Sequence, residues 1–225
     1  MELEAILETI FSEYGVMALY VALFAVIFAE SGLFFGFFLP GDSLLLTVGL
    51  FAYKYPDRLQ LLILLPLLFV AAVLGDNVGY WFGRKAGPPL FTREKSLLFR
   101  PKNLLAARAF YEKHGGKTII LARFMPFIRT FAPIVAGAVN MNYRRFMLFN
   151  LVGGLLWAIG VTLAGYFLGS LFEQMFGSAD VLDRYFLVIV IAVIIVSVLP
   201  TALHLWSENK EQIFAWLKTR FAKQS

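Results

Sequence analysis

Arg123 and Arg129 flank Pro126 at three residues to either side, inside the mostly apolar stretch Lys117–Ala138. An arginine at the bilayer centre costs about 2.5–3.5 kcal/mol on insertion scales, so it faces a cavity, an acidic partner or a ligand. An acidic pair, Glu30 and Asp42, flanks another proline, Pro40, in the apolar N-terminal third. Together the four define a charged site inside a membrane. Guanidinium forks bind phosphate oxygens bidentately, so the arginines suit a phosphate. The acids would repel that phosphate if both stayed ionised. Burial opposes ionisation of a carboxyl and a neighbouring arginine favours it, which makes either acid a candidate proton switch. A static lattice of ion pairs that only holds segments together is the plain alternative, because buried ion pairs need not be functional.

The elements that must position these groups are membrane helices. Hydrophobic residues make up 60% of the chain and charged residues 16%, where a soluble domain carries about 25% charged. Phe146–Phe172 runs 27 residues without a charge, Tyr185–Ser207 runs 23 with only His204 titratable, and Leu59–Gly75 adds 17, extended through Asp76 and Asn77 to Gly83. Each can span a hydrocarbon core of about 30 Å. The class is an all-α polytopic membrane protein. Spanning helices are expected at about 59–84, 146–172 and 185–206. Val16–Ala29 is either a full span or a surface helix.

Pro40 and Pro126 lie 86 positions apart, as do Gly79-Tyr80-x-x-Gly83 and Gly165-Tyr166-x-x-Gly169. Two anchors at one offset suggest an internal duplication. The segments Ser31–Pro40, Ser43–Tyr53, Lys117–Pro126 and Thr130–Val139 are each too short to cross. They are expected to form re-entrant hairpins at about 30–53 and 117–139, turning at Pro40-Gly41 and near Pro126. One non-crossing hairpin plus one crossing helix makes an odd number of crossings, so the second unit is inverted, a transporter arrangement with its site near the midplane. Two kinked spanning helices are the alternative. In the hairpin reading Asp42 is an N-cap, Thr130 takes the equivalent place, and Pro133 falls in a tolerated first turn, which aims two anion-favouring helix N-termini inward.

Residues 1–13, with glutamates on one face, fit a short amphipathic helix on the membrane surface, and no cleavable signal is expected. Between Arg84 and Lys117 stand nine Lys/Arg against two Glu, the mark of a cytoplasmic segment. The basic tail, 207–225, is expected on the same side. The absence of cysteine excludes thiolate chemistry and disulfides, and with two histidines no metal centre or cofactor is expected. Nucleic acid is not an expected partner. Asp76 and Asn77 line the cavity or join helices by hydrogen bonds. Asn150 fits packing, Arg144 and Arg145 fit the membrane surface, and His114 fits a cap. The glycines of Gly75-x-x-x-Gly79-x-x-x-Gly83 allow close helix approach, and such faces permit a homo-oligomer without requiring one.

Three stretches carry a resemblance. They are Phe38-Leu39-Pro40-Gly41-Asp42-Ser43, Gly75-Asp76-x-x-x-Tyr80-x-x-Gly83-Arg84, and the run from Phe110 to Lys117 that continues through Arg123-Phe124-x-Pro126-x-x-Arg129-Thr130-x-x-Pro133 to Ala136-Gly137. In these the chain resembles the DedA family of bacterial inner-membrane proteins, within the SNARE-associated (VTT) superfamily, over about Gly15 to Pro200. The resemblance implies two re-entrant hairpins and functional importance for Glu30, Asp42, Arg123 and Arg129. It also implies a role in membrane and envelope homeostasis that depends on the proton motive force. Some members resemble translocases of undecaprenyl phosphate, and eukaryotic relatives resemble phospholipid scramblases.

The leading expectation is a proton-linked translocase of a phosphate-bearing lipid, a polyprenyl phosphate or a phospholipid. Arg123, Arg129 and Thr130 would bind the headgroup, Glu30 and Asp42 would couple protons, and Pro40, Gly41, Asp76, Asn77, Pro126 and Pro133 would support them. A proton-coupled exporter of small cations or cationic drugs and a non-transporting membrane organiser are the alternatives. No nucleophile–base set points to an enzyme.

Overall fold

The computed structural model describes residues 13–33, 40–90 and 115–176, with residues 109, 111, 113 and 188. All regular structure among these is helical: α1 (Glu13–Gly32), α2 (Gly41–Lys54), α3 (Leu61–Leu90), α4 (Lys117–Arg123), α5 (Pro126–Ala138), α6 (Tyr143–Gly154), a π turn (Leu155–Ile159) and α7 (Gly160–Phe176). Three stretches are long and apolar enough to cross a membrane: Gly15–Gly32, Leu61–Gly87 and the continuous helix Tyr143–Met175. Thus Val16–Ala29 belongs to a helix of spanning length. The expected surface helix 1–13 apart from Glu13, most of the basic segment, the 185–206 span apart from residue 188, and the tail lie outside the described residues.

Prolines set the boundaries. α2 stops at Lys54 because Tyr55 precedes Pro56, and a residue before proline is pushed out of the helical region. Met125 is extended (φ −112°, ψ 106°) ahead of Pro126 for the same reason, and Pro126 then opens α5 at its first position. This break leaves Arg123 as the last residue of α4 and puts Arg129 one turn into α5. Asn142 caps α6, its Oδ1 accepting from the Arg144 and Arg145 amides at 3.0 and 3.3 Å.

Several expected boundaries shift. Asp42 is not an N-cap: α2 begins at Gly41 behind Pro40, and Asp42 lies in the first turn. Thr130 is not a cap either. Pro126 starts α5 four residues earlier, so Thr130 is a buried helical residue and Pro133 sits inside the helix. There Pro133 offers no N–H to the Arg129 carbonyl one turn back. Ser31 and Gly32 close α1 instead of opening a separate arm, and 34–39 lie outside the described residues.

Small residues let the helices touch backbone to backbone. A Cβ on Gly75 would stand 2.6 Å from the Phe28 carbonyl, which seats α1 against α3. Farther along α3, a Cβ on Gly83 would stand 1.9 Å from the Ile134 carbonyl of α5. In the other half, Gly165 of α7 meets the Leu46 carbonyl of α2 at 2.0 Å by the same measure. The short helix of each half therefore packs on the long helix of the other. Leu23, Ile27, Leu45, Leu68 and Trp157 share the apolar core, while Leu62, Val70, Leu74 and Leu148 point outward on faces suited to lipid.

Candidate charged site between the short helices

Five helices and the π turn deliver one side chain or more to a single buried cluster. Glu30 lies at the end of α1, fully buried, and Asp42 lies in the first turn of α2. Asp76 comes from the middle of α3, Arg123 from the end of α4, Arg129 from α5, and Trp157 from the π turn. The break at Met125-Pro126 turns the two arginines toward different partners.

Arg129 binds both members of the acidic pair. Its Nη2 donates to Glu30 Oε1, and its Nη1 donates to Asp42 Oδ1 at 2.8 Å. The Arg129 side chain is 3% exposed and Glu30 is 0% exposed, but the Asp42 side chain is 44% exposed. Asp42 is therefore the edge of the cluster that reaches the outside. Gly41 makes room for this pairing, since a Cβ there would stand 1.6 Å from Glu30 Oε2.

Arg123 does not join that pair. Its Nη2 bonds Asp76 Oδ2 at 2.9 Å and the Ala72 carbonyl at 3.0 Å, and its Nη1 bonds the Asn150 carbonyl and Oδ1, each at 3.0 Å. Asn150 Nδ2 in turn donates to the Val73 carbonyl at 3.1 Å, which locks α6 to α3. Arg123 is 2% exposed and Asp76 3%, so this half is sealed. Asp76 joins helices, α3 to α4, through its ion pair with Arg123. Asn77 does the same for α3 and α6: its Nδ2 donates to the Val73 carbonyl at 2.7 Å and its Oδ1 accepts from the Tyr143 hydroxyl at 2.9 Å. Thr130 is buried next to Arg129 in sequence, while Pro40, Pro126 and Pro133 act through the backbone.

Trp157 is the residue that sequence reasoning passed over. It is 1% exposed, its Nε1–H donates to Asp42 Oδ1 at 2.6 Å, and its ring centroid lies 4.8 Å from Arg129 Cζ and 5.6 Å from Arg123 Cζ. Both distances fall within cation–π range. One signal was available. Membrane tryptophans favour the two interfaces, whereas Trp157 falls near the middle of the Tyr143–Met175 span.

Three carboxylates face two guanidiniums, one negative charge in excess. Arg123 Nε, Arg129 Nε and Asp76 Oδ1 are buried without a hydrogen-bond partner, so the cluster retains capacity for a further polar group. No group of three potential metal-ligating side chains occurs among the described residues. Such an arrangement can exchange one anionic partner of Arg129 for another, and it can take up a proton.

The site sits inside the region matched by a family model. Residues 39–167 match the VTT domain. The chain is 44% identical to Protein DedA of Escherichia coli (strain K12) over 189 residues, 84% of this chain and 82% of that one. It is 43% identical to an uncharacterized membrane protein of Mycobacterium leprae (strain TN) over 87% of this chain and 83% of the relative. Against the inner membrane protein YqjA of E. coli (strain K12) it is 38% identical, over 72% and 73% of the two chains. No solved structure matches. With the VTT model covering more than half its length and these identities extending across most of it, the chain belongs to the DedA family of VTT-domain membrane proteins.

Proposed function

We propose that the protein is a lipid translocase of the bacterial inner membrane that moves a phosphate-bearing headgroup between leaflets, with protons linked to the exchange. The observation that carries this reading is Arg129, a buried guanidinium held by two carboxylates of which one reaches the surface. A phosphate arriving from outside meets Asp42 first and competes with it for Arg129. Protonation of Asp42 or Glu30 releases the arginine to the phosphate, and loss of that proton on the other side returns it. Arg123 holds the framework in which this happens and adds positive potential.

The architecture supports a midplane site. α4 and α5 are about 10 and 20 Å long, and α2 is about 21 Å, all short of a 30 Å hydrocarbon core. We infer that α4–α5 forms one re-entrant hairpin and that α2 is the returning arm of another. The exchange of short-on-long packing between the halves fits an inverted repeat. YqjA is named an inner membrane protein, which supports the location. The basic segment and the tail are assigned to the cytoplasmic side. The protein is not assigned a catalytic reaction.

The excess negative charge favours one other reading, a proton-coupled exporter of small cations. One assay separates them: leaflet exchange of a labelled polyprenyl phosphate and a labelled phospholipid in proteoliposomes, with and without a pH gradient, alongside cation flux. Gradient-sensitive lipid exchange that disappears in folded Arg129→Ala supports the translocase, and the faster label names its cargo class. Cation flux without lipid exchange assigns the exporter.

A further inference from the structure

We propose that Trp157 is a ligand of the translocated anion, and that Asp42 Oδ1 occupies the place of a phosphate oxygen. This rests on the phosphate reading of the Arg129 site. Two donors converge on that single carboxylate oxygen, Arg129 Nη1 at 2.8 Å and Trp157 Nε1 at 2.6 Å. Convergent donors of this kind, one charged and one neutral, form an oxyanion site. An indole N–H only donates and does not titrate, so Trp157 can donate to a carboxylate or to a phosphate oxygen without changing its own charge. The ring cannot easily swing away, because it is 1% exposed and lies over both guanidiniums. Asp42 can leave, because its side chain is 44% exposed. The fixed partners are thus the two donors, and the mobile partner is the acid.

Two further observations fit. Arg129 Nε is buried without a hydrogen-bond partner, so the guanidinium is not saturated by Glu30 and Asp42 and can serve an additional oxygen. Trp157 stands in the π turn Leu155–Ile159, and such turns redirect a side chain from its helical register and are frequent at functional sites. The chemical class of ligand is a phosphate ester or free phosphate whose oxygen replaces Asp42 Oδ1.

The test uses the full chain in dodecyl maltoside micelles, which carry no phosphate, with 15N-labelled tryptophan, whose four indole N–H signals include that of Trp157. Trp81→Phe, Trp206→Phe and Trp216→Phe assign the signals by elimination, independently of any change at Trp157. Titration with polyprenyl phosphate is expected to move the Trp157 signal saturably, and not in Arg129→Ala. Inorganic phosphate is the second arm: a matching shift there means the headgroup alone is recognised, and a shift with the lipid only means the chain is needed. Both results support the proposal. Trp157→Phe keeps an aromatic ring and removes the donor, so affinity for polyprenyl phosphate should fall roughly tenfold or more. Asp42→Asn, a weaker competitor, should raise it. If Arg129-dependent lipid exchange persists while the Trp157 signal stays fixed and Trp157→Phe binds normally, Trp157 is not a ligand although the translocase reading stands. If no phosphate lipid binds or exchanges at all, both proposals fall.

Discussion

The two arginines on either side of Pro126 have the same chemistry and opposite surroundings. Arg123 is held by the neighbouring helices α3 and α6: one carboxylate, one amide side chain and two backbone carbonyls, all from buried residues. Arg129 is spent on two carboxylates, and one of them is nearly half exposed. A guanidinium bonded to backbone carbonyls can be freed only by moving a helix. One bonded to an exposed first-turn aspartate can be freed by a side-chain rotation or a proton. Burial alone, nearly equal for the two arginines, would have called them equivalent. In the proposed translocase, the exchangeability of their partners separates a structural lattice at Arg123 from an exchange site at Arg129, within one break of the chain.

The largest effect should follow from Arg129→Ala. Lipid exchange should fall by roughly a hundredfold or more, since truncating one partner of a buried charge pair costs about 2–5 kcal/mol and the ligand's own partner goes with it. Arg129→Lys should rescue little, because a compact ammonium cannot reproduce the two-armed contact to Glu30 and Asp42. Exchange in proteoliposomes, normalised to folded protein, measures both. Near-normal exchange in Arg129→Lys would mean that charge alone matters, and the contrast with Arg123 would lose its geometric basis.

Next in size is a test that removes whole pairs. Arg123→Ala strands Asp76 in the interior, and unfolding should become easier by about 3–5 kcal/mol. Replacing both partners by apolar residues, Arg123→Met with Asp76→Leu, should return much of that stability and leave measurable exchange. The matched double variant Arg129→Met with Glu30→Leu should also fold, yet exchange nothing. Thermal unfolding in detergent together with the exchange assay reads the three variants. If the Arg123–Asp76 double variant is as inactive as the Arg129–Glu30 one, the sealed half takes part in transport and the division is wrong.

What the sequence disclosed about this contrast follows its physical origin. Long uncharged runs announced the helices around Asp76 and Asn150, because hydrocarbon demands an apolar surface of fixed length. Pro126 announced the break that parts Arg123 from Arg129, because proline acts on its immediate neighbours. Partner choice was not legible. That Arg123 turns to Asp76 and Asn150 depends on how α3 and α6 meet in three dimensions, where a Cβ on Gly154 would stand 3.1 Å from Val73 Cγ2. Local starts were misplaced for a related reason: Asp42 and Thr130 have cap-like types, but Gly41 and Pro126 begin their helices sooner. Trp157 had no motif around it, and its meaning came only from the two guanidiniums it meets.

A smaller effect should appear in pH dependence. If proton uptake by the acidic pair frees Arg129, exchange in the wild type rises as pH falls. Asp42→Asn takes away the exposed carboxylate that competes for Arg129, so the variant should respond less to a pH gradient than the wild type. Asp76→Asn, in the sealed half, should keep the wild-type profile at whatever level of folded protein survives. A profile that flattens only in Asp76→Asn would place the proton on the Arg123 side.

The finest comparison uses two glycines, one beside each half. At Gly41 a Cβ would lie 1.6 Å from Glu30 Oε2, far inside contact, so Gly41→Ala must push the carboxylate off Arg129 or shift the start of α2. At Gly153 a Cβ would stand 3.5 Å from Arg123 Cδ and from the Ile120 Cα, an ordinary contact. Gly153→Ala should therefore be close to neutral, or slightly stabilising because alanine favours a helix interior by about 1 kcal/mol over glycine. Gly41→Ala should lower exchange several-fold with little change in unfolding temperature, since the displaced Glu30 can repair its bonding locally while the site geometry cannot. Equal, small effects from both would show that Glu30 is loosely held. The pairing of Arg129 with a buried carboxylate would then be incidental to exchange, and Asp42 with Trp157 would carry the site alone.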